Sequence, residues 1–308
     1  MKAKVYKSTG SWYVVKTADE QFHNARVKGI FKIDGITSTN PIAVGDEVDI
    51  SFEDVEEASA VIEEIHDRHN YVARVSPHNK RQHHIIASNI DQSFLFATLK
   101  SPKTSLGFID RFLVACESFH IPATIIFNKA DIYKDKELAQ YALIQSIYTK
   151  AGYDVMLTSV EKGEGLEAVR YKLKGKTTLL SGHSGVGKST LINALFPNFD
   201  LRTQEVSSWS GKGMHTTTFA EMFDIDEHSR VIDTPGIREL GISDVSKQEL
   251  SHYFPEMRIV LNECQFNNCS HYNEPGCAVK QAVNEGTISE ERYVSYLTIR
   301  DTIEENLY

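Results

Sequence analysis

The stretch SGHSGVGKST, residues 181–190, decides the fold of this 308-residue chain. Residues 182–189 fit the pattern GxxxxGKS, and they stand between an apolar run, KTTLLSG, and a helical run, KSTLINALF. A strand before the pattern and a helix after it are the context of a phosphate-binding loop. Glycines there let backbone N–H groups converge on phosphate oxygens at the start of a helix. The sequence therefore predicts a P-loop.

The predicted loop gives its residues distinct roles. Lys188 would reach the β- and γ-phosphates of a nucleotide, which makes it a catalytic candidate, and the Ser189 hydroxyl would ligate Mg²⁺. The predicted nucleotide-binding residues of this loop are Gly182, His183, Ser184, Gly185, Val186, Gly187, Lys188, Ser189 and Thr190.

A second pattern, NKAD at residues 128–131, also follows an apolar run. The carboxylate of Asp131 can accept two hydrogen bonds from guanine N1–H and N2–H₂, a pair that adenine does not offer. Asn128 would tie this segment to the phosphate loop, and the Lys129 stem could pack on the base. The segment TSV at 158–160 follows the next strand, where its backbone would meet guanine O6. These two segments predict the base-binding residues Asn128, Lys129, Ala130, Asp131, Thr158, Ser159 and Val160.

The pattern DTPG, residues 233–236, predicts the remaining phosphate contacts. Asp233 would hold Mg²⁺ through a water molecule, and the Gly236 N–H would sense the γ-phosphate. Ras-type enzymes orient the attacking water with a glutamine directly after this pattern, but Ile237 stands there and cannot do so. We therefore expect slow intrinsic hydrolysis.

The segment SSWSGKGMHTTT, 207–218, stands where the first switch loop of a GTPase belongs. Thr217 would complete the Mg²⁺ shell when GTP is bound. His215 could orient the attacking water, although an ordinary surface histidine explains that residue equally well.

The order of these elements is NKxD, TSV, P-loop, DxxG, which is a rotation of the usual order along a GTPase chain. A parallel sheet places its loops by strand position, so the chain can be opened elsewhere without moving the pocket. Near-continuous apolar runs alternate with helical stretches from about residue 91 onward, which favours a sheet covered on both faces. The sequence thus predicts an α/β GTPase domain in circularly permuted order at 85–245.

The segments on either side of this domain differ from it in pattern. Residues 1–72 contain short alternating runs broken by turn residues, which predict an all-β barrel of OB-fold type, with an SH3-like barrel as the alternative. We expect a polar, basic linker at 73–84 and a helical zinc-binding domain at 246–308.

Cysteine spacing supports the zinc prediction. Cys264, Cys269, His271 and Cys277 offer three thiolates and one imidazole, a closed tetrahedral set for structural Zn²⁺. A disulfide with one free thiol, or ordinary buried cysteines, are the alternatives. The fourth cysteine, Cys116, falls on an amphipathic helical run and is expected in the core.

The overall composition limits where the protein can be expected in the cell and which partners it can be expected to bind. A mean hydropathy of −0.31 is typical of an ordinary soluble protein. The formal net charge of −9 argues against an overall nucleic-acid binder, although residues 1–32 are locally basic. The chain shows no apolar run long enough for a membrane helix and no signal-peptide pattern. We expect a cytoplasmic monomer that does not contact a membrane.

The chain resembles the ribosome small subunit-dependent GTPase A family over essentially its whole length. The resemblance is carried by the zinc pattern and by NIDQ (89–92), DRFLVA (110–115), FNKAD (127–131), GHSGVGKSTLINAL (182–195), HTTT (215–218) and DTPGIRE (233–239). It implies GTP hydrolysis stimulated by the small ribosomal subunit, contact with its rRNA, and a role in its late maturation. One departure is Met214, where arginine is common in the family.

Two other functions fit the residues less fully. One is a GTP-dependent switch acting on a protein partner without RNA contact. The other is an ATPase or small-molecule kinase on a P-loop scaffold, which requires that the chain not prefer guanine over adenine nucleotides.

Overall fold

The computed structural model of the chain describes residues 1–10, 12–27, 41–52, 59–75, 83–197, 220–234, 242 and 245–303. In this part of the chain, a small barrel, a central α/β unit and a helical C-terminal unit follow one another. No helix there is long and apolar enough to cross a membrane.

The N-terminal strands form a closed barrel. They are β1 (Lys2–Ser8), β2 (Tyr13–Thr17), β3 (Phe22–Val27), β4 (Glu47–Phe52) and β5 (Ser59–Ile65). Their order is β1-β2-β3-β5-β4, and β4 pairs back to β1. The β3–β5 pair is parallel and the other pairs are antiparallel. This five-stranded order fits an OB-fold and confirms the predicted barrel.

Strand β1 does not follow the alternating pattern of a half-buried strand. Its register with β2 shifts between Val5 and Lys7, so Val5 and Tyr6 are both buried in succession. Such a bulge breaks the period-two alternation by which a half-buried strand is recognised.

The segment predicted as a linker, 73–84, begins and ends in strand residues. Strands β6 (Tyr71–Val75) and β7 (His83–Ser88) form an antiparallel pair, so residues 73–75 and 83–84 are strand residues. The basic, turn-rich composition predicted a loop, but a ribbon with one solvent-facing side also accepts polar side chains. Residues 76–82 lie outside the described part.

The central unit is a six-stranded sheet with helices on both faces. Its strands are β8 (Gln92–Ala97), β9 (Ala123–Phe127), β10 (Asp154–Leu157), β11 (Thr177–Ser181), β12 (Glu221–Asp224) and β13 (Arg230–Asp233). Its helices are α1 (Leu106–Ser118), α2 (Asp135–Lys150), α3 (Leu166–Leu173) and α4 (Lys188–Leu195). The strand order is β10-β9-β8-β11-β13-β12, and of the pairs between these six strands only β12–β13 is antiparallel. Strand β12 also pairs with β1, so the sheet continues into the barrel.

Alternate residues of the central strands supply two separate cores. Leu95 and Ile125 pack with residues of α1 and α2 on one face, whereas Phe94 and Ile126 pack with residues of α3 and α4 on the other. Every residue of β8 and β11 is buried, which confirms the sheet covered on both faces.

The C-terminal unit is helical, as predicted. It contains α5 (Pro255–Arg258), α6 (Ala278–Asn284) and α7 (Glu290–Thr302) around a core that includes Phe254, Met257 and Tyr296. Val114 of α1 also belongs to this core, so the unit packs directly on the central one.

Candidate nucleotide site and metal cluster

The predicted phosphate loop joins the end of β11 to the start of α4 and depends on two tightly placed glycines. Gly182 has φ +137° and Gly187 has φ +93°, a backbone region that side chains disfavour. A Cβ on Gly182 would lie 2.4 Å from the Phe96 carbonyl oxygen. A Cβ on Gly187 would lie 2.4 Å from the Asn128 amide nitrogen. Gly182 requires glycine because the backbone of β8 lies so close, and Gly187 because of its positive φ and the Asn128 side chain beside it.

The Lys188 ammonium lies over the loop that it would serve. It donates hydrogen bonds to the carbonyl oxygens of Gly182 at 2.9 Å and His183 at 3.4 Å. Val186 is fully buried and anchors the loop, whereas Ser184 and Gly185 are exposed. A phosphate group arriving at this exposed rim would meet the ammonium directly.

Asn128 connects the base-binding segments to the phosphate loop. Its side-chain nitrogen donates to the carbonyl oxygens of Val186 at 3.0 Å and Gly187 at 3.4 Å. Its side-chain oxygen accepts a hydrogen bond from the Thr158 hydroxyl at 3.0 Å. One buried side chain therefore holds together three loops at the carboxyl ends of β9, β10 and β11.

Asp131 lies beside these loops, on the short 3-10 helix Ala130–Ile132. One oxygen of its carboxylate accepts from the Ser159 hydroxyl at 2.8 Å, which fixes the orientation of the group. The Ala130 N–H donates to the Thr158 carbonyl at 3.0 Å. Half-buried Val160 follows Ser159 directly along the chain. The predicted NKxD and TSV segments are thus adjacent, as the sequence required.

Lys129 lies beside the same loops in a left-handed backbone conformation, with φ +64°. Its ammonium donates to the Ser101 carbonyl at 2.7 Å. Its stem runs beside the phosphate loop, with Cε 3.9 Å from the position of a Cβ on Gly187. The stem is therefore placed to form an apolar wall of the pocket.

The described phosphate-side residues meet at the same edge of the sheet. Asp233 is buried at the end of β13 and pairs with Leu180 of β11. Ser189 is half-buried in the first turn of α4, and the neighbouring Thr190 is exposed. The predicted residues His215, Thr217 and Gly236, and also Met214 and Ile237, lie outside the described residues.

Two contacts of the site were missed by sequence analysis. Buried Tyr133 donates to the Asn128 carbonyl at 2.7 Å and accepts from the Leu99 N–H at 2.9 Å. Burial raises the pKa of Tyr133 to about 12, so this hydroxyl keeps its proton. The Phe108 ring lies against the His183 ring, with centroids 3.9 Å apart. In the sequence, the only sign of these contacts was a tyrosine soon after NKxD, which is weak evidence for a role in the site.

The predicted metal ligands also come together. The ligand atoms of Cys264, Cys269, His271 and Cys277 all lie within 4.8 Å of one another. Their donor set fits structural Zn²⁺, since three sulfurs and one nitrogen complete a tetrahedral shell. All four cysteines of the chain are free thiols, which disfavours the disulfide alternative, and Cys116 is buried in α1 as expected.

Protonation and the surrounding contacts agree with a metal site. Burial lowers the pKa of His271, which favours the neutral ring that coordinates metals. Burial and the neighbouring thiols raise the pKa of Cys269 to about 12, so a cation is needed to stabilise its thiolate. The hydroxyl of Tyr293 donates to the His271 carbonyl at 2.6 Å, and that of Tyr296 to the Ser270 carbonyl at 2.8 Å. These bonds fix the backbone around the cluster.

The sheet order, the phosphate loop and the NKxD contacts define a GTPase whose chain is circularly permuted. A family model described as RsgA GTPase matches residues 65–243, and one described as RsgA N-terminal domain matches residues 2–61. The chain belongs to the RsgA GTPase family.

Relatives match the chain over nearly its full length. A protein of Christiangramia forsetii named small ribosomal subunit biogenesis GTPase RsgA is 50% identical, with 99% of this chain and 98% of that one covered. The crystal structure of YjeQ from Thermotoga maritima is 32% identical, covers 97% of both chains and superposes with a TM-score of 0.77. The crystal structure of YloQ, described as a circularly permuted GTPase, is 28% identical, covers 98% of this chain and 94% of its own, and gives a TM-score of 0.73.

Proposed function

We propose that this protein hydrolyses GTP and acts on the small ribosomal subunit during its maturation, with hydrolysis stimulated by that subunit. The observation that carries the GTP assignment is the convergence of the phosphate loop, NKxD and TSV segments on Asn128. The partner is supported by the relatives, which are named for small ribosomal subunit biogenesis. Such a partner would place the protein in the cytoplasm.

Each pocket residue has a role in this proposal. Asp131, oriented by Ser159, accepts from the guanine edge, while the backbone of 158–160 faces O6. Lys188 leaves the loop carbonyls and binds the β- and γ-phosphates. Ser189, Asp233 and Thr217 would hold Mg²⁺, whose charge offsets that of the phosphates. Gly236 would sense the γ-phosphate.

The residue that would orient the attacking water differs from that of Ras-type enzymes. Ile237 carries no polar atom, so it cannot hold the attacking water in place. His215 is our candidate for that role once the partner orders its loop. The family resemblance and the absence of a glutamine at 237 support slow basal turnover and stimulation by the subunit.

The metal cluster is proposed to hold one structural Zn²⁺. Four protein ligands leave no open position, so the ion would stabilise the C-terminal unit rather than take part in chemistry. The segment around it is rich in turns and buries few large apolar side chains, which is where a metal contributes most to folding.

We place the subunit contact on the barrel and the C-terminal unit. OB-folds offer a groove for nucleic acid, and the barrel strands carry most of the basic residues of the N-terminal segment. These are Lys2, Lys4, Lys7, Lys16 and Arg26, of which Lys7 and Lys16 are mostly buried and pair with Glu221 and Asp224 of β12. Binding to rRNA through the others would weaken with added salt, because phosphate contacts release counterions. A monomer suffices, since each proposed site is built from one chain.

The domain limits proposed from the sequence are 1–72, 85–245 and 246–308. The family models, which match 2–61 and 65–243, support the first two in outline. The hairpin of β6 and β7 connects the first two units and spans the ends of the segment proposed as a linker.

Steady-state phosphate release from GTP tests the proposed function. We expect purified small subunits to stimulate the wild-type protein about tenfold or more, and large subunits to have no effect. Lys188→Ala should abolish the activity. Stimulation by a protein partner alone, with salt-insensitive binding, would instead favour the switch without RNA contact. Equal affinity for ADP and GDP would favour an ATPase or kinase.

A further inference from the structure

Helix α1 lies between the phosphate loop and the C-terminal unit and touches both. Phe108, in its first turn, stacks on His183 of the loop with ring centroids 3.9 Å apart and planes inclined by 30°. Two residues on, Asp110 is 1% exposed and faces the C-terminal unit. Residues two apart on a helix point in different directions, so α1 presents one side to each neighbour.

The anchor on the C-terminal side is a buried charge cluster. Arg292 of α7 donates to Asp110 at 2.7 Å and makes two bonds to Glu256 of α5, at 2.6 and 3.1 Å. Tyr148 of α2 donates to the same Asp110 oxygen at 2.7 Å, and the Phe254 ring lies 4.5 Å from the guanidinium. Breaking a buried charge cluster with this many bonds is costly, so the cluster holds α1 to the C-terminal unit.

On the loop side, the stacked residue also contacts the nucleotide-binding lysine. The His183 carbonyl accepts from Lys188 at 3.4 Å and from the Val186 N–H at 3.4 Å. The position of the His183 ring therefore affects the carbonyl that holds Lys188 before a nucleotide arrives.

We propose that Phe108 is a positioning residue for the phosphate loop, and that α1 transmits the placement of the C-terminal unit to that loop. Nucleotide affinity then depends on how α7 and α5 hold Asp110. Because coupling between sites is reciprocal, a partner that shifts the C-terminal unit and so changes nucleotide affinity has its own affinity changed by nucleotide binding by the same factor. This inference rests on the proposed nucleotide site.

Matched variants on α1 test the positioning role. Phe108→Leu keeps an apolar side chain but removes the ring, and we expect it to weaken binding of a fluorescent GDP analogue about fivefold or more. It should raise KM for GTP while kcat stays within about twofold, since binding of the ground state and of the transition state is weakened equally. Phe108→Tyr keeps the ring and should restore affinity. Phe119→Leu is the control, because Phe119 also packs half-buried on the same core, but contacts Tyr71 instead of the loop.

A double-mutant cycle tests the transmission. Asp110→Asn and Glu256→Gln loosen the anchor, and each should weaken GDP binding in the wild-type background. In the Phe108→Leu background, neither substitution should weaken GDP binding further, because the contact between α1 and the loop is already lost. If Asp110→Asn does not fold, the cycle between Glu256→Gln and Phe108→Leu tests the transmission by itself. Additive effects, or unchanged GDP affinity in Phe108→Leu or in a folded anchor variant, overturn the proposal. Absence of guanine-nucleotide binding by the wild type would overturn the proposed function itself.

Discussion

The side-chain nitrogen of Asn128 lies 3.0 Å from the carbonyl oxygen of Val186 and donates a hydrogen bond to it. Asn128 precedes Val186 in the chain, although in the usual order of a GTPase the phosphate loop comes first. The bond therefore shows that NKxD and the phosphate loop are adjacent in the structure although their order along the chain is permuted. The sheet order, with β9 and β11 on either side of β8, makes that contact independent of where the chain begins.

We expect Asn128→Ala to weaken GDP binding by tenfold or more, because it removes the bonds to Val186 and Thr158 at once. Leaving buried partners unsatisfied should also cost about 1–3 kcal/mol of unfolding free energy. Titration with a fluorescent GDP analogue and urea unfolding measure the two effects. Asn70→Ala is the control, since Asn70 makes two bonds to Ile90 away from the pocket. Similar GDP affinities for the two variants would contradict the assigned role.

Gly182→Ala should abolish nucleotide binding. The new methyl group would lie 2.4 Å from the Phe96 carbonyl, so the loop must move away from β8. Gly175→Ala is a matched control, because Gly175 also has positive φ, at +70°, but has no atom within 4 Å of a new Cβ. It should lose about 1 kcal/mol of stability from backbone strain and keep GDP affinity. Wild-type affinity for GDP in Gly182→Ala would show that nucleotide binding does not require the present backbone conformation of the loop.

Zinc should be present at one ion per chain and should stabilise the C-terminal unit. Cys264→Ser is expected to lose the ion and lower the melting temperature, whereas Cys116→Ala should retain it, because Cys116 lies in a separate core. Metal analysis and thermal unfolding are the measurements. Zinc in the Cys264→Ser protein at the wild-type level would contradict the ligand assignment.

Zinc affinity should fall as the pH is lowered. Metal binding displaces protons from the thiols, and the pKa of Cys269 is raised to about 12 by burial and by the thiols beside it. Acid therefore competes with the ion for the Cys269 thiolate. Competition with a chromophoric chelator between about pH 8 and pH 6 measures the change. An affinity that rises with acidity would show that thiolates do not hold the metal.

Arg292→Met should destabilise the protein by about 3–5 kcal/mol, because Asp110 and Glu256 would remain buried without their cation. Arg258→Met is the comparison, since Arg258 also joins the C-terminal unit to α1 through Glu117 but is more than half exposed. It should cost less than about 1 kcal/mol. Urea unfolding compares them, and equal losses would show that burial of the pair is unimportant.

The local patterns of the chain predicted much of the site because each pocket segment follows its own strand. The GxxxxGKS loop, the NKAD turn and the cysteine spacing are contiguous signals, so they were visible without the fold. Contacts between distant segments were not: Tyr133 on the Asn128 backbone and Phe108 on His183 depend on helix placement. Strand β1 departs from the alternating pattern at its bulge, and the β6–β7 hairpin was hidden by its polar composition.

A comparison of nucleotide affinities between the wild type and Asp131→Asn tests whether NKxD recognises guanine although it precedes the phosphate loop. The carboxylate accepts two hydrogen bonds from guanine, whereas an asparagine offers a donor that suits the O2 of xanthine. We expect the wild-type protein to bind GDP far more tightly than xanthosine diphosphate, and the variant to reverse that preference. Unchanged preference for GDP in a folded Asp131→Asn protein would contradict the permuted pocket.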